Sequence, residues 1–226
     1  DSTVQEVRKH STPPRCVDVT FPDRYSFCIL NSASLQRLDD ARIWELAKRF
    51  YNDAYLMDQN ACSSPHLIIW LGQQFEAPRQ RFWRAVSEVA AQGYEIGLGQ
   101  AFDKYARLCR DCVSRRKPQD LKAGGNILYR VGLDLLDSST ANMRGQSGYF
   151  YEHHAENISA ISDIVNEKYQ TLTYFGIPPS ELNDFIKHNH LLGIDRIVPV
   201  GQAHDMGVYW DGYDLIRTLS RAIEQK

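Results

Sequence analysis

Short hydrophobic runs alternate along this chain with stretches in which apolar residues recur at helical spacing. The runs hold about four to eight mainly apolar residues bounded by polar residues, glycine or proline, which is typical of strands buried in a core. Strands are predicted in this way at residues 25–30, 66–71, 127–131, 169–175 and 196–201, with a weaker alternating pattern at 16–20. Pro199 favours an edge position for the last strand, because proline cannot donate a hydrogen bond to a neighbouring strand.

Helices are predicted between the strands. The clearest apolar face belongs to a helix that Ser34 or Asp39 could cap, and it comprises Ile43, Leu46, Ala47, Phe50, Ala54 and Tyr55. Further helices are predicted at residues 78–91, 98–115, 156–168, 178–190 and 213–224. The order of strand, helix, loop and strand over residues 25–71 indicates a βαβ unit with parallel strands. The alternation throughout predicts an α/β fold, a mostly parallel sheet flanked by helices.

Composition narrows the class of protein. The chain has 226 residues, 43% hydrophobic and 24% charged, which suits one large globular domain or a domain with an appendage. A net charge of −2 gives no indication of nucleic acid or an anionic membrane surface as partner. No apolar run approaches the roughly 20 residues needed to span a bilayer, and the first residues lack the features of a signal peptide. Five irregularly spaced cysteines indicate reduced thiols, so we expect a cytoplasmic protein.

Cys62 is the main candidate for a reactive group. It lies in the polar loop of residues 58–65, DQNACSSP, between a helical pattern that ends near Leu56 and the predicted strand 66–71. Loops on a rigid scaffold commonly carry reactive groups, whereas a single cysteine is more often inert core filler. The loop alone therefore leaves open whether Cys62 is a nucleophile. Cys28, inside a predicted buried strand, is interpreted as a core residue.

Two further motifs contain residue types that bind metals. Cys109 and Cys112 have the C-x-x-C spacing of redox and zinc sites, but they fall in a predicted helix and no second such pair follows. His188 and His190 miss the usual spacing of histidine ligands. We therefore expect no metal site.

Proton transfer and phosphate binding offer two more candidates. His153 and His154 could supply a base for Cys62, and the alternative is an ordinary polar pair at the end of a strand. Neither the G-x-G-x-x-G fingerprint nor a P-loop occurs, so the chain has no recognisable phosphate-binding loop of its own.

Several segments, in their order along the chain, are similar to segments of known enzymes. NACSSP at residues 60–65 resembles the nucleophile loop of the aldehyde dehydrogenase superfamily, and most closely that of its fatty acyl-CoA reductases, including the fatty acid reductase of bacterial luminescence. Other segments are similar to further parts of those reductases: FPDRYS at 21–26, QTLTYFG at 170–176, GIDRIVPVG at 193–201 and WDGYD at 210–214. The matches follow the order of that family across nearly the whole chain.

The resemblance implies that the chain is a fragment of such an enzyme. It would comprise a catalytic domain at residues 1–192, with Cys62 as nucleophile, and a C-terminal arm for oligomerisation at residues 193–226. Asn60, Ser63 and Arg144 are implied as supporting residues of the site. NADPH or NADH would be bound mainly by an N-terminal cofactor domain outside this chain, and a side-chain amide of the oxyanion hole would come from there too.

Two departures from the superfamily bear on the chemistry. Hydrolytic aldehyde dehydrogenases have an ELGGK-like segment whose glutamate activates water, and the matching residues 21–25, FPDRY, lack it, which leaves the part of Asp23 open. The E-x-F-G-P element that contacts the cofactor ribose is also unmatched, and RGQSG at residues 144–148 occupies its place. An acyl-enzyme awaiting reduction should not meet activated water, so the lost glutamate fits an acylating reductase.

The function implied is the reduction of a thioester. Cys62 would take an acyl group from acyl-CoA or an acyl-protein thioester, with its own N–H as one oxyanion donor, and NAD(P)H would reduce the acyl-enzyme to a fatty aldehyde. We expect a homo-oligomer, and no complete catalytic cycle in this fragment alone. Two alternatives stay open: a cysteine acyltransferase or thioesterase that pairs Cys62 with His153 or His154 without nicotinamide, and a non-catalytic module that oligomerises through residues 196–214.

Overall fold

A seven-stranded sheet forms the centre of the computed structural model, which describes residues 2–114, 117–119 and 125–225. In chain order the strands are β1 (Tyr25–Asn31), β2 (Pro65–Leu71), β3 (Lys117–Gln119), β4 (Tyr129–Gly132), β5 (Tyr149–Ala155), β6 (Tyr169–Phe175) and β7 (Arg196–Pro199). They lie in the order β3-β4-β5-β2-β1-β6-β7. A two-stranded hairpin of β8 (Tyr209–Trp210) and β9 (Tyr213–Asp214) follows.

The helices connect these strands. They are α1 (Ser2–Val7), α2 (Ser32–Gln36), α3 (Asp40–Ala54), α4 (Glu76–Ala91), α5 (Leu98–Val113), α6 (Pro179–His188) and α7 (Leu215–Leu219). Helix α3 begins where the Asp39 carboxylate accepts a hydrogen bond from the Arg42 N–H at 2.8 Å, so the cap predicted at Asp39 is confirmed. Ser34, the other candidate, lies within α2.

The predicted α/β architecture is confirmed. Strands β4, β5, β2, β1, β6 and β7 are parallel, and β3 joins the edge antiparallel to β4. Strands β1 and β2 are neighbours connected through α3, as predicted for a βαβ unit. Strand β7 occupies the other edge of the described sheet, which confirms the position expected for Pro199.

Both faces of the sheet are covered. On one face, residues such as Phe27, Ile29 and Ile69 belong to a cluster that includes Leu182 and Phe185 of α6. The residues that alternate with them contribute to a second cluster with side chains of α3 and α4: Cys28, Leu30, Ile68, Trp70, Phe50, Phe82 and Val86. Strands buried on both sides need apolar residues at consecutive positions, which explains why the hydrophobic runs located them.

Two predicted elements are wrong and a third is shorter. Residues 16–20 form no strand, and Val17 is 54% exposed, so the alternation there has no sheet to join. Residues 156–168 contain only the 3₁₀ turn Ile158–Ile161 instead of a helix. There Asn157 and Asn166 accept main-chain hydrogen bonds and favour turns over a continuous helix. The last helix, α7, buries none of its residues and stops at Leu219, since without packing a helix gains little stability.

The segment predicted as an arm, residues 193–226, begins inside the fold. Strand β7 pairs with β6, and Ile194, Val200 and Ala203 are buried in the core. Further along, the hairpin and α7 lie at the surface and expose several large apolar side chains. No helix within the described residues is long and apolar enough to cross a membrane.

Candidate functional site

The Cys62 loop, residues 56–64, connects the end of α3 to the start of β2. Two residues before Cys62 adopt the left-handed conformation: Asp58 has φ 51° and Gln59 has φ 57°. Non-glycine residues with positive φ are uncommon and are often retained where a loop must hold a particular shape. The Ala61 carbonyl accepts the Ser64 N–H at 3.0 Å, so the chain turns tightly around Cys62 before it enters the sheet.

Gln59 fixes the loop to the neighbouring strand. Its side chain is buried, and its amide NH₂ donates to the carbonyls of Pro65 and Tyr149 at 3.1 Å each. Its amide oxygen accepts the N–H groups of Gly148 and Tyr149 at 2.8 and 2.9 Å. One side chain therefore makes four hydrogen bonds to the main chain, where the start of β5 meets the loop.

Ser26 holds Cys62 itself. The Ser26 hydroxyl donates to the Cys62 carbonyl at 2.6 Å and accepts the Thr171 N–H at 3.1 Å, so it links the loop to β6. The register of β1 shifts between Ser26 and Phe27 against β2, and between Tyr25 and Phe27 against β6. Such bulges re-aim a side chain at the end of a sheet and are frequent beside active sites.

Cys62 is held by its carbonyl but left open elsewhere. Its side chain is partly exposed, and within the described part of the chain its N–H has no hydrogen-bond acceptor. A main-chain donor without a partner beside a partly exposed thiol is an arrangement that can bind an oxyanion formed by attack at sulfur.

Asn60 contacts the turn at residues 144–148. Its side-chain oxygen accepts from the Gln146 amide at 2.7 Å, and both residues are exposed. Gly148 has φ 81°, and a Cβ there would lie 2.1 Å from the Ile127 carbonyl oxygen, so the turn requires glycine. The buried Lys104 of α5 donates to the Ser147 carbonyl at 2.7 Å, and burial lowers its pKa to about 7.

Arg144 braces the segment before β1 and makes no described hydrogen bond to the Cys62 loop. Its guanidinium forms an ion pair with Asp23 at 2.9 Å and donates to the Arg24 carbonyl. Lys168 lies 3.5 Å from the same Asp23 carboxylate. Asp23, whose part was open, is therefore an ion-paired surface residue that anchors this corner of the sheet.

His66 is a buried histidine only four residues after Cys62. Its ring stacks on Tyr25, with centroids 5.5 Å apart. Burial, with a smaller contribution from the charge of Arg144, lowers the pKa of His66 to about 3, so the ring is neutral at pH 7. A neutral, buried ring packed on tyrosine is a core residue here.

Ser63 contacts a histidine that the sequence did not single out. Its buried hydroxyl lies 3.0 Å from Nδ1 of His204, a half-buried residue in the segment after β7. Gly201, with φ 99°, reverses the chain so that this segment returns beside α3. There the buried Asp53 carboxylate accepts the N–H groups of Gly201 and Ala203 at 2.7 and 2.9 Å. Burial raises the pKa of Asp53 to about 6.

The proposed pairing of Cys62 with His153 or His154 is wrong. In the sheet register these histidines lie opposite Ile69 and Trp70, whereas Ser26, which holds the Cys62 carbonyl, lies opposite Pro65. Four to five residues of strand separate the two levels, about 13–16 Å at 3.3 Å per residue. His153 and His154 instead make hydrogen bonds with the carbonyls of Leu133 and Gly72, each at 2.8 Å.

The other cysteines lie apart from this loop. Cys28 is fully buried in β1, as predicted, and burial raises the pKa of its thiol. Cys109 and Cys112 are exposed thiols on α5, and Cys16 is exposed near the start of the chain. Within the ranges that the structure describes, no group of three or more His, Cys, Asp or Glu side chains could hold a metal ion.

Comparison with solved structures identifies the fold. Aldehyde dehydrogenase 21 from Physcomitrella patens matches with a TM-score of 0.51 and 10% identity over 80% of this chain and 39% of its own. The Δ-pyrroline-5-carboxylate dehydrogenase from Mycobacterium tuberculosis matches with a TM-score of 0.51 and 11% identity over 78% of this chain and 35% of its own. The chain has the aldehyde dehydrogenase fold. It spans less than two fifths of the length of either of these proteins.

No family model and no curated protein matches the chain. The aldehyde dehydrogenase fold predicted from the ordered segments is thus confirmed, while the acyl-CoA reductase family stays a prediction. Gln59, Ser26 and His204 had no local signal, because each acts through contacts with residues distant in sequence. Only the loop that they hold, around Cys62, could be located from sequence.

Proposed function

We propose that this chain is the nucleophile-bearing part of an acylating oxidoreductase that uses NAD(P)H. Cys62 takes an acyl group from acyl-CoA or an acyl-protein thioester, and the acyl group leaves as a fatty aldehyde. The observation that carries the proposal is the Cys62 loop: Gln59 and Ser26 fix its main chain, and it leaves a partly exposed thiol beside an N–H that has no acceptor among the described residues. The aldehyde dehydrogenase fold supports the reaction class.

The acylation step uses groups of this chain. The Cys62 thiolate attacks the thioester carbonyl carbon, and the Cys62 N–H donates to the oxyanion that forms. The intermediate then expels the thiolate of the donor thioester, which leaves the acyl group on the Cys62 sulfur. Because Ser26 fixes the Cys62 carbonyl and Gln59 fixes the preceding turn, the N–H donor needs little reorganisation during the step.

Reduction requires a hydride donor held beside the loop. Asn60 is exposed and Cys62 partly so, which leaves one side of the loop accessible to a second domain. When bound beside the loop, NADPH or NADH would supply hydride to the acyl carbon. The resulting thiohemiacetal on Cys62 collapses to release the aldehyde and restore the thiol. We expect the residues that bind NADPH or NADH to lie mainly in a domain outside this chain.

The surroundings of Asp23 support reduction over hydrolysis. It occupies the segment that resembles the glutamate-bearing segment of hydrolytic aldehyde dehydrogenases, but its carboxylate is held between Arg144 and Lys168. These two ion pairs give the Asp23 carboxylate a structural role in place of water activation. The five cysteines are free thiols, which supports a reducing, cytoplasmic location.

Acylation of the chain alone tests the proposal. The wild-type chain and a Cys62→Ala variant are incubated with a long-chain acyl-CoA, and acylated peptides are quantified by mass spectrometry. We expect acylation at Cys62 in wild type and its loss in the variant, with the acyl-enzyme stable because no reductant is present. Cys109→Ala is the matched control, since Cys109 is an exposed thiol on α5 and should account for little acylation.

Two results would count against the proposal. Equal acylation of wild type and Cys62→Ala would remove Cys62 as the acyl carrier. Steady acyl release without nicotinamide would favour the alternative, a cysteine acyltransferase or thioesterase, in which His204 would replace His153 or His154 as the nearby histidine.

We also propose that the outer part of residues 193–226 forms a contact between copies of this chain. Six large apolar side chains there are exposed by 46–78%: Met206, Val208, Tyr209, Ile216, Leu219 and Ile223. Contiguous exposed apolar surface commonly marks an interface. Helix α7 buries none of its residues, so it can be altered without disturbing the core.

Light scattering tests this contact. We expect wild type to be oligomeric and the double variant Ile216→Ser/Leu219→Ser to have a lower mass. The control is Val7→Ser, which removes a similarly exposed side chain from α1 at the other end of the chain and should leave the mass unchanged. A monomeric wild type, or an unchanged mass in the double variant, would refute an assembly role for this segment.

A further inference from the structure

We propose that His204 is a positioning residue for Cys62 and acts through the hydroxyl of Ser63, an inference that rests on the proposed role of Cys62 as nucleophile. Ser63 follows Cys62 directly, and its Oγ lies 3.0 Å from Nδ1 of His204. The side chain of Ser63 is buried, and a buried hydroxyl without a partner would be costly. His204 therefore fixes the residue after the nucleophile, as Ser26 fixes the carbonyl of the nucleophile itself.

The segment that carries His204 is held independently of Ser63. The Asp53 carboxylate accepts the N–H groups of Gly201 and Ala203. The Arg196 guanidinium donates to the carbonyls of Ala203 and Asp205 at 2.9 and 2.8 Å. The same guanidinium lies over the Trp210 ring, 4.4 Å from its centroid. The hydrogen bonds of Asp53 and Arg196 therefore hold the main chain that places the His204 imidazole beside Ser63.

The hydrogen bond has a direction that depends on the charge of the ring. Burial lowers the pKa of His204, and the charge of Arg196 lowers it further. The main chain of Asp53 and the charge of Asp205 act in the opposite direction, but the net shift is downward. In the neutral tautomer that carries its proton on Nε2, the ring accepts the Ser63 O–H at Nδ1. When acid protonates the ring, Nδ1 becomes a donor and the Ser63 hydroxyl must turn its proton elsewhere. Because burial disfavours the charged ring, protonation should weaken the folded arrangement of the loop as pH falls through the lowered pKa of His204.

Alkylation of Cys62 by iodoacetamide reports this hold. The rate at Cys62 is divided by that at the exposed Cys109, which cancels the reagent and much of the ordinary pH dependence of a thiol. We expect His204→Ala to raise the ratio about threefold or more, because the loop opens more often when Ser63 loses its partner. Alkylation of the buried Cys28 monitors global unfolding and should stay low.

Further variants distinguish a specific contact between His204 and Ser63 from a general loosening of the Cys62 loop. His204→Asn places an amide oxygen near the position of Nδ1 and should restore the wild-type ratio to within about twofold. Ser63→Ala should match His204→Ala, and the double variant should add nothing, because both remove one interaction. His153→Ala is the matched control, since His153 lies about 13 Å further along the sheet and should leave the ratio unchanged.

The pH profile completes the test. In wild type the ratio should rise towards the His204→Ala value as pH falls below about 6.5, the ordinary value for histidine, and His204→Asn should lack this change. An unchanged ratio in His204→Ala with Cys28 protected would overturn the proposal, as would additive effects of the two single variants. Because alkylation needs no thioester, this result is separate from acylation of Cys62, and either proposal can fail alone.

Discussion

Two regions of this molecule bury polar side chains in different ways. Around Glu152 of β5 the buried groups are charged and pair with one another: the carboxylate accepts from Trp70 Nε1 at 2.9 Å and from Trp83 Nε1, and lies 3.6 and 3.8 Å from Arg79 and Arg130. At the Cys62 loop the buried side chains of Gln59 and Ser26 instead bond to the main chain and Ser63 contacts His204, and the nucleophile candidate is left partly exposed. The cluster around Glu152 stabilises the fold, whereas the contacts around the Cys62 loop position a reactive group.

Access to a neighbouring reactive atom distinguishes the buried polar groups that indicate chemistry from those that only stabilise the fold. Glu152 is 2% exposed and is enclosed by tryptophan and arginine side chains, so no substrate atom can reach it. Gln59 and Ser26 are just as buried, but their hydrogen bonds fix the backbone on either side of a thiol that solvent can reach. A rigid backbone with one accessible reactive atom is what a catalytic group requires. The two regions should therefore respond differently to mutation.

The largest effect is expected at Glu152. Glu152→Ala leaves Arg79 and Arg130 buried without that carboxylate, and removing one partner of a buried ion pair commonly costs about 3–5 kcal/mol. Urea unfolding should show a loss of this size, while the alkylation rate of Cys62 in the remaining folded protein stays at its wild-type value. The two measurements together locate the effect in the core and away from the loop.

Glu76→Ala provides the matched control for this variant. Glu76 also pairs with Arg79, at 2.9 Å, but its side chain is 56% exposed. An exposed pair contributes less than about 1 kcal/mol, so the control should unfold close to wild type. If Glu152→Ala were no less stable than Glu76→Ala, the charges around Glu152 would not be the structural cluster described here.

Sequence alone located five of the seven strands in the described sheet, but not β3, β5 or the contacts that build the site. The strands around Tyr25 and Leu67 were found because a strand that is buried on both faces requires a continuous run of apolar residues. The hydrogen bond between Ser63 and His204 joins residues 141 positions apart, and no local pattern records it. His153 and His154 looked suitable by residue type alone, and only the register of β5 against β2 shows how far they lie from the loop.

The wrong prediction of a helix at residues 156–168 also shows what apolar spacing alone cannot determine. Ile158, Ile161 and Val165 have helical spacing, and all three contribute to the core cluster or pack against it. Their burial is achieved through turns, because Asn157 and Asn166 accept nearby main-chain N–H groups. Apolar spacing indicates which side chains become buried, and the local polar side chains decide which backbone buries them.

A smaller but more informative effect is expected at Gln59. Gln59→Ala removes four hydrogen bonds to the main chain, and we expect a loss of about 2 kcal/mol, because part of the loop can relax towards water. Unlike Glu152→Ala, this variant should change Cys62 itself in two opposite ways. Alkylation by iodoacetamide should become faster as the loop opens, and acylation by a long-chain acyl-CoA should become slower as the N–H donor loses its fixed position.

Opposite changes in the two reactions distinguish positioning from simple exposure of the thiol. If Gln59 only shielded Cys62, both rates would rise together in Gln59→Ala. If it had no part in the site, both would match those of Gln92→Ala, a control that removes an exposed glutamine at the end of α4. Faster alkylation with slower acylation is expected only when the bonds of Gln59 hold the backbone donor beside Cys62, because acylation depends on that donor and alkylation does not.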